Sequence, residues 1–316
     1  MKKVCAILMA VCLLLAGLCP ALAEDKTYRI GICQLAPHPA LDAATQGFRD
    51  FLTEKLGDKV VFNEKNAAGE AATCMQIMNS FISEDVDLIM ANATASLQAA
   101  QSATGDIPIL GTAVTDYGVA LDLTCVDGKT GVNISGTSDL APLDQQAAMI
   151  KELFPEAKEV GLLYCSSEAN SAYQIEVMTQ ELTKLGFHCT EFAFSDSSDV
   201  ASMTSTACQN SDVIYVPTDN VVATCAEAIR NVAEVDRVPI IAGEEGACAG
   251  CGVATLSISY YDLGVTTGKM AAKILKGEAN ISEMPVEYTD ATPKYNASIC
   301  DQLGITPLDG YEAIEG

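Results

Sequence analysis

The chain has 316 residues, 42 of them acidic and 18 basic, for a formal net charge of −24. A field of that sign repels phosphate backbones and anionic lipid headgroups, which argues against nucleic acid and membrane surfaces as partners. The length predicts one large or two medium domains.

The first 23 residues have the form of an export signal. Lys2-Lys3 is a basic start, residues 4–18 are an apolar stretch, and Ala21-Leu22-Ala23 fits the small-x-small rule for cleavage. The apolar stretch is short for a bilayer span, and no later segment approaches that length. The mature chain is therefore expected to be exported, periplasmic or extracellular and membrane-associated. Cleavage after Ala23 is favoured. A lipid anchor on Cys19 is the alternative, although Leu15-Ala16-Gly17-Leu18-Cys19 carries one residue too many between Leu-Ala-Gly and the cysteine. Losing the leader removes Lys2 and Lys3 but no acid, so the mature chain is more acidic still.

The elements alternate along the chain. Apolar, β-rich runs fall at 28–33, 60–62, 88–91 and 107–110, then at 160–165, 189–194, 213–216, 238–242 and 253–258. Between them, apolar residues three or four apart predict amphipathic helices: Leu143, Ala147, Ile150 and Phe154 make one face, and Met178, Leu182 and Leu185 another. Short buried strands alternating with such helices imply an α/β fold of parallel sheets covered on both faces. Residues 139–142 read as a crossing point, which gives two doubly wound lobes. Ligands of such folds sit outside the carboxyl ends of the strands. Two lobes facing each other would line a cleft with those ends.

Polar clusters recur at these places. After the first strand, Pro39 suits the first turn of a helix, and His38 is either its cap or a ligand contact. After the third, Thr94 is placed to cap a helix. After the fourth come Thr115 and Asp116, with no helical periodicity directly behind them, so ligand contact is the stronger reading. In the second half, Ser171 and Gln174 have capping-box spacing, which leaves Ser166, Ser167, Glu168 and Asn170 unexplained. In Thr218-Asp219-Asn220, Asp219 caps a helix at 221–232 or meets a ligand. Glu244 and Glu245 end a buried strand side by side and need solvent or a cation. Helix N-termini suit a carboxylate, whereas Asp219, Glu244 and Glu245 suit an ammonium. A site offering both suits a zwitterion, that is, an amino acid.

Catalysis has no comparable support. There is no P-loop, no G-x-S-x-G, no H-E-x-x-H and no G-x-G-x-x-G after the first strand. The chain has only two histidines, His38 and His188, to serve as base for a nucleophile. Of the thirteen cysteines, Cys5, Cys12 and Cys19 fall in the leader. Most of the rest (Cys33, Cys74, Cys165, Cys189, Cys208, Cys225) lie in apolar segments, where a thiol acts as a small hydrophobe. Cys248 and Cys251, in the Gly-rich loop 246–252, have C-x-x-C spacing without a second ligand pair, so a disulfide or two idle thiols is expected there. No catalytic residue, metal site or cofactor is expected. Gly264 and Gly268 mark close helix packing.

The sequence resembles the tryptophan/tyrosine-type substrate-binding proteins of ABC importers. The resemblance rests on HPALD at 38–42, TAVTD at 112–116, SSEANS at 166–171, YVPTDN at 215–220, EEG at 244–246 and YYDLG at 260–264, in order over the mature chain. It implies a type I periplasmic-binding-protein fold with three crossings, lobe 1 being 24–138 plus 261–284 and lobe 2 being 139–260 plus 285–316. It further implies that Ser166, Ser167, Asn170 and Thr94 hold the ligand carboxylate and that Asp219, with Glu245, takes the ammonium. The ligand side chain would face 35–39 and 115–117. Tyr117 stands where the family usually has Pro, and the two cysteines after EEG are atypical. The implied function is capture of a small amino acid, aromatic in type, and its delivery by a monomer to a membrane permease. A sugar, nucleoside or peptide ligand on the same scaffold, or a sensing role, is the alternative. An exported α/β hydrolase lacks a nucleophile with its base.

Overall fold

The computed structural model describes residues 26–314. The export signal, Cys19 and the expected mature start lie outside these residues.

The first lobe alternates strand and helix: β1 (Tyr28–Gln34), α1 (Pro39–Leu56), β2 (Val60–Asn66), α2 (Ala71–Ser83), β3 (Leu88–Asn92), α3 (Thr94–Ala103), β4 (Ile109–Val114), α4 (Tyr117–Leu121) and β5 (Ile134–Ser138). The side chains of its central strands alternate between two apolar layers. Ile30, Ile32, Leu88 and Met90 pack with Phe48 and Met270 on one face. Cys33, Ile89 and Ala91 pack with Phe81 and Leu97 on the other. A strand buried on both faces has no solvent side to mark with polar residues, so it reads as a continuous apolar run.

The chain then crosses at residues 139–142 and repeats the pattern with α5 (Leu143–Leu153), β6 (Glu159–Cys165), α6 (Ala169–Lys184), β7 (His188–Phe194), α7 (Val200–Gln209), β8 (Val213–Val216), α8 (Asn220–Thr224), α9 (Ala226–Asp236), β9 (Ile240–Ala242), α10 (Glu245–Cys251) and β10 (Ala254–Ile258). It returns at Ser259 as α11 (Tyr260–Leu275), which lies along α1 in the first lobe. This contact explains the small residues at 264 and 268. A Cβ at Gly264 would run into the Ala44 carbonyl, and one at Gly47 into the Tyr261 carbonyl. The tail adds β11 (Glu287–Tyr288), β12 (Ala291–Tyr295), α12 (Ala297–Leu303) and β13 (Glu312–Ala313).

The first sheet has the order β2-β1-β3-β4-β5-β11, and the second β7-β6-β8-β9-β10-β12-β13. All pairings are parallel except β10 with β12. Since β11 pairs with β5, the chain stays in the first lobe to Tyr288, past the expected boundary at 284, and makes its third crossing at Thr289–Asp290. Two further expectations need correction. β5, with the sequence Ile-Ser-Gly-Thr-Ser, is too polar to read as a buried strand, but its hydroxyls are satisfied internally: Thr137 bonds Thr112 and Thr267, and Ser138 donates to the Thr115 carbonyl. The Gly-rich stretch 246–252 is largely helix, because the Glu244 carboxylate accepts from the N–H groups of Gly246 and Ala247 and starts α10. Cys248 and Cys251 are buried free thiols in that helix.

Candidate functional site

The carboxyl ends of β1, β4, β6, β8 and β9 meet between the lobes around one cavity. The first lobe contributes His38, Ala40, Leu41, Ala113 and Thr115 to its lining. The second contributes Asn170, Thr218, Asp219, Asn220, Ala223 and Glu244. Asp139 and Tyr260, at the first two crossings, complete it. The cavity holds about 10 Å³, room for about one water, so the lobes are closed on each other. His38 Nε2 lies 3.1 Å from Asn220 Oδ1 across the cleft, and Gln174 Nε2 donates to Thr115 Oγ1 at 3.5 Å.

Three carboxyl groups in this lining are nearly inaccessible: Asp139 is 4%, Asp219 2% and Glu244 3% exposed. Asp139 accepts from the hydroxyls of Thr115 and Tyr260, both at 3.0 Å, and burial raises its pKa to about 6. Asp219 accepts from the N–H groups of Cys165 (2.7 Å) and Val222 (2.8 Å). Burial, followed by the nearby Glu168, raises it to about 7. Glu244 is raised to about 7 by burial. Among the residues lining the cavity none is Lys or Arg, and burial pushes the His38 imidazole down. The cavity is thus a concentration of acids with no fixed cation to match it, and the backbone N–H groups only partly offset their desolvation.

Of the residues singled out in the sequence, His38, Thr115, Asn170, Thr218, Asp219, Asn220 and Glu244 come together here. The others do not line the cavity. The hydroxyls of Ser166 and Ser167 donate to the carbonyls of Phe194 and Ser195 at the end of β7. Glu168 stands behind the cavity, where its carboxylate accepts from the backbone N–H groups of Asn220 and Val221 and so caps α8 alongside Asp219. Ser171 lies inside the first turn of α6, so the expected capping box is absent and Glu168 holds the cap position. Thr94 is the first helical residue of α3; the cap is Ala93, at φ 87°. Asp116 caps α4 by accepting from Val119, a five-residue helix too short to show periodicity. Tyr117 is packed inside the first lobe with its hydroxyl on the Thr137 carbonyl, and is no part of the cavity wall. Pro39 and Glu245 line a neighbouring cleft of about 420 Å³, where Glu245 pairs with Lys294 at 2.6 Å.

Asp139 and Tyr260 were legible as crossing residues but not as lining. The signal was their position: a strand that leaves one lobe for the other passes through the floor of the cleft.

Two α/β lobes, linked by three crossings and closed over a cavity at their strand ends, define a solute-binding protein with a type I periplasmic-binding-protein fold. The chain belongs to the ABC transporter substrate binding protein family, whose model matches residues 29–310. It is 38% identical over 272 residues to a tyrosine-binding protein of Clostridioides difficile, covering 85% of this chain and 78% of that one. Among solved structures it resembles an ABC domain from Streptococcus pneumonia in complex with L-Trp, with TM-score 0.87 and 32% identity over 92% of this chain and all of that one. Against the ligand-free, open structure of a Clostridium difficile substrate binding protein with adhesive properties, the TM-score is 0.71 at 37% identity, with 92% and 99% covered. The lobes are therefore set more as in the former, in keeping with the small cavity. The family binds solutes outside the cytoplasm for an ABC permease. Among the described residues no helix is long and apolar enough to cross a membrane.

Proposed function

We propose that this protein captures an aromatic amino acid in the inter-lobe cleft and delivers it, as a monomer, to its permease. The observation that carries the reading is the convergence of Asp139, Asp219 and Glu244 on a cavity with no Lys or Arg in its lining. An ammonium supplies the charge those carboxyls lack, and placing it there draws the second lobe and the first crossing onto one group. The ligand carboxylate would meet the hydroxyl of Thr218, since the Thr115 hydroxyl and the Asn170 amide already donate within the protein. The tyrosine-binding relative and the L-Trp complex support an aromatic side chain. A cavity with room for about one water also means that the solute enters by separation of the lobes, so binding biases a hinge equilibrium.

The test is a thermal-shift screen of protein that has been unfolded and refolded to strip carried-over solute, against the amino acids, a sugar panel and nucleosides. Ligand at about a hundred times Kd stabilises the fold by roughly 2.7 kcal/mol. For a chain of this size that is a rise of about 5 °C. A shift with tyrosine, tryptophan or phenylalanine supports the proposal. A shift with a sugar or nucleoside and with no amino acid would overturn it.

A further inference from the structure

A chain of hydrogen bonds runs across the cleft from Glu168 through Asn220 to His38. Glu168 Oε2 accepts from Asn220 Nδ2 at 2.6 Å and from its backbone N–H at 3.2 Å. A carboxylate only accepts, so the amide nitrogen of Asn220 faces Glu168 and its oxygen faces away. That oxygen lies 3.1 Å from His38 Nε2. An amide oxygen cannot donate, so Nε2 carries the ring hydrogen and Nδ1 is a bare lone pair. His38 holds the cap position of α1, but its side chain makes no capping bond there. Its Nδ1 is buried with no hydrogen-bond partner among the protein's atoms, in a ring that is 7% exposed and lines the cavity. A buried acceptor without a protein donor is costly, so its donor has to come from what occupies the cavity that the ring lines.

We propose that His38, fixed in one tautomer by Asn220 and Glu168, is the specificity-determining acceptor for a ring N–H or O–H on the ligand side chain. This rests on the amino-acid reading above. The buried acids serve the ammonium, and His38, which reaches the same cavity from the opposite lobe, is left for another part of the solute. Among aromatic amino acids, tyrosine offers a phenol O–H and tryptophan an indole N–H; phenylalanine offers neither. The neutral ring suits this role, because a protonated imidazole would have no acceptor to offer, and burial lowers the ring's pKa. Asn220 and Glu168 are positioning residues.

The experiment is calorimetric titration of refolded wild type, His38→Phe and Asn220→Leu with L-tyrosine, L-phenylalanine, L-tryptophan and 1-methyl-L-tryptophan. Wild type is expected to prefer tyrosine to phenylalanine, and tryptophan to its N-methyl derivative, by about 5- to 100-fold. His38→Phe keeps an aromatic ring but no acceptor and should bring both ratios to within about twofold of unity. Asn220→Leu frees the tautomer and should lower the ratios without reversing them. A second readout needs no variant. The chain has only two histidines, and His188 is on the surface, paired with Glu159, so a long-range ¹H–¹⁵N spectrum reports His38 directly. Nε2 should be protonated and Nδ1 bare, with the Nδ1 signal moving on addition of tyrosine and not of phenylalanine. Equal wild-type affinities for tyrosine and phenylalanine, a ratio retained in His38→Phe, or hydrogen on Nδ1 would overturn this inference and leave the amino-acid reading standing. Binding of no aromatic amino acid would overturn both.

Discussion

Tyr260 donates its hydroxyl to Oδ2 of Asp139 at 3.0 Å, which ties the second crossing between the lobes to the first. Both groups are buried in the floor of the cleft, so the segments about which the lobes would hinge share a hydrogen bond exposed to the solute. Tyr260→Phe removes that donor and leaves Asp139 with Thr115 as its side-chain partner. The expected loss is about 1–3 kcal/mol, read as a lower urea midpoint at unchanged slope. Small-angle scattering of the variant without solute should show a larger mean radius.

The buried acids set a pH dependence. Asp139, Asp219 and Glu244 have folded pKa values of about 6, about 7 and about 7, above those of the unfolded chain. The folded protein therefore retains protons that the unfolded chain releases, and the contribution of these groups to stability falls as pH rises from about 4 to about 7. Glu244→Gln, which removes one of them, should flatten the decline. Binding an ammonium has the opposite sign. It expels protons from these acids, so amino-acid affinity should rise over the same pH span. Calorimetry in two buffers of different ionisation enthalpy measures that release, and net proton uptake would contradict the placement of the ammonium.

Asp219 and Glu245 should separate under mutation although the sequence offers both for the ammonium. Asp219→Asn loses one of two accepted backbone N–H bonds and is expected to cost about 1–2 kcal/mol of stability. It should also weaken amino-acid binding at least about tenfold. Unchanged affinity would remove Asp219 from the ammonium site. Glu245→Gln breaks a partly exposed ion pair with Lys294 and should leave affinity within about twofold.

Gly264→Ala tests the contact between α11 and α1. The new methyl meets the Ala44 carbonyl, so the helices must move apart about one turn beyond Leu41 and Tyr260 of the cavity lining. Overpacking of this kind costs about 1–3 kcal/mol, which chemical denaturation would register. A neutral result would mean that the two helices slide freely.

Much of this architecture could be read from the chain because buried parallel strands have to be apolar on both faces, and the runs at 28–33, 88–91, 160–165 and 213–216 leave no other interpretation. Short polar elements could not be read. β5 hides its hydroxyls inside the lobe, and α4 and α10 are helices of five and seven residues started by single carboxylates, Asp116 and Glu244. In the cleft, the ambiguity between capping and binding resolves differently from residue to residue. Asp116 and Glu168 cap without lining the cavity, whereas Asp219 and Glu244 do both. Ser166 and Ser167 looked equal to Asn170 in sequence, but they precede the helix and turn towards β7, whereas Asn170, one residue inside it, turns to the cleft. Spacing along a chain does not encode that rotation.

The interlock of Gly47 with α11 also bears on how the molecule is made. The first lobe is begun by β1 and closed by residues 260–275, so the face of its longest helix, α1, that meets α11 has no partner until most of the second lobe has been synthesised. The second lobe in turn waits for β12 and β13 at the end of the chain. Neither half can reach its final packing from an incomplete chain, and an N-terminal fragment ending at residue 142 would leave the α1 face bare. The segments that lock each lobe are thus the last of it to be made, and each lobe is held open-faced until they arrive.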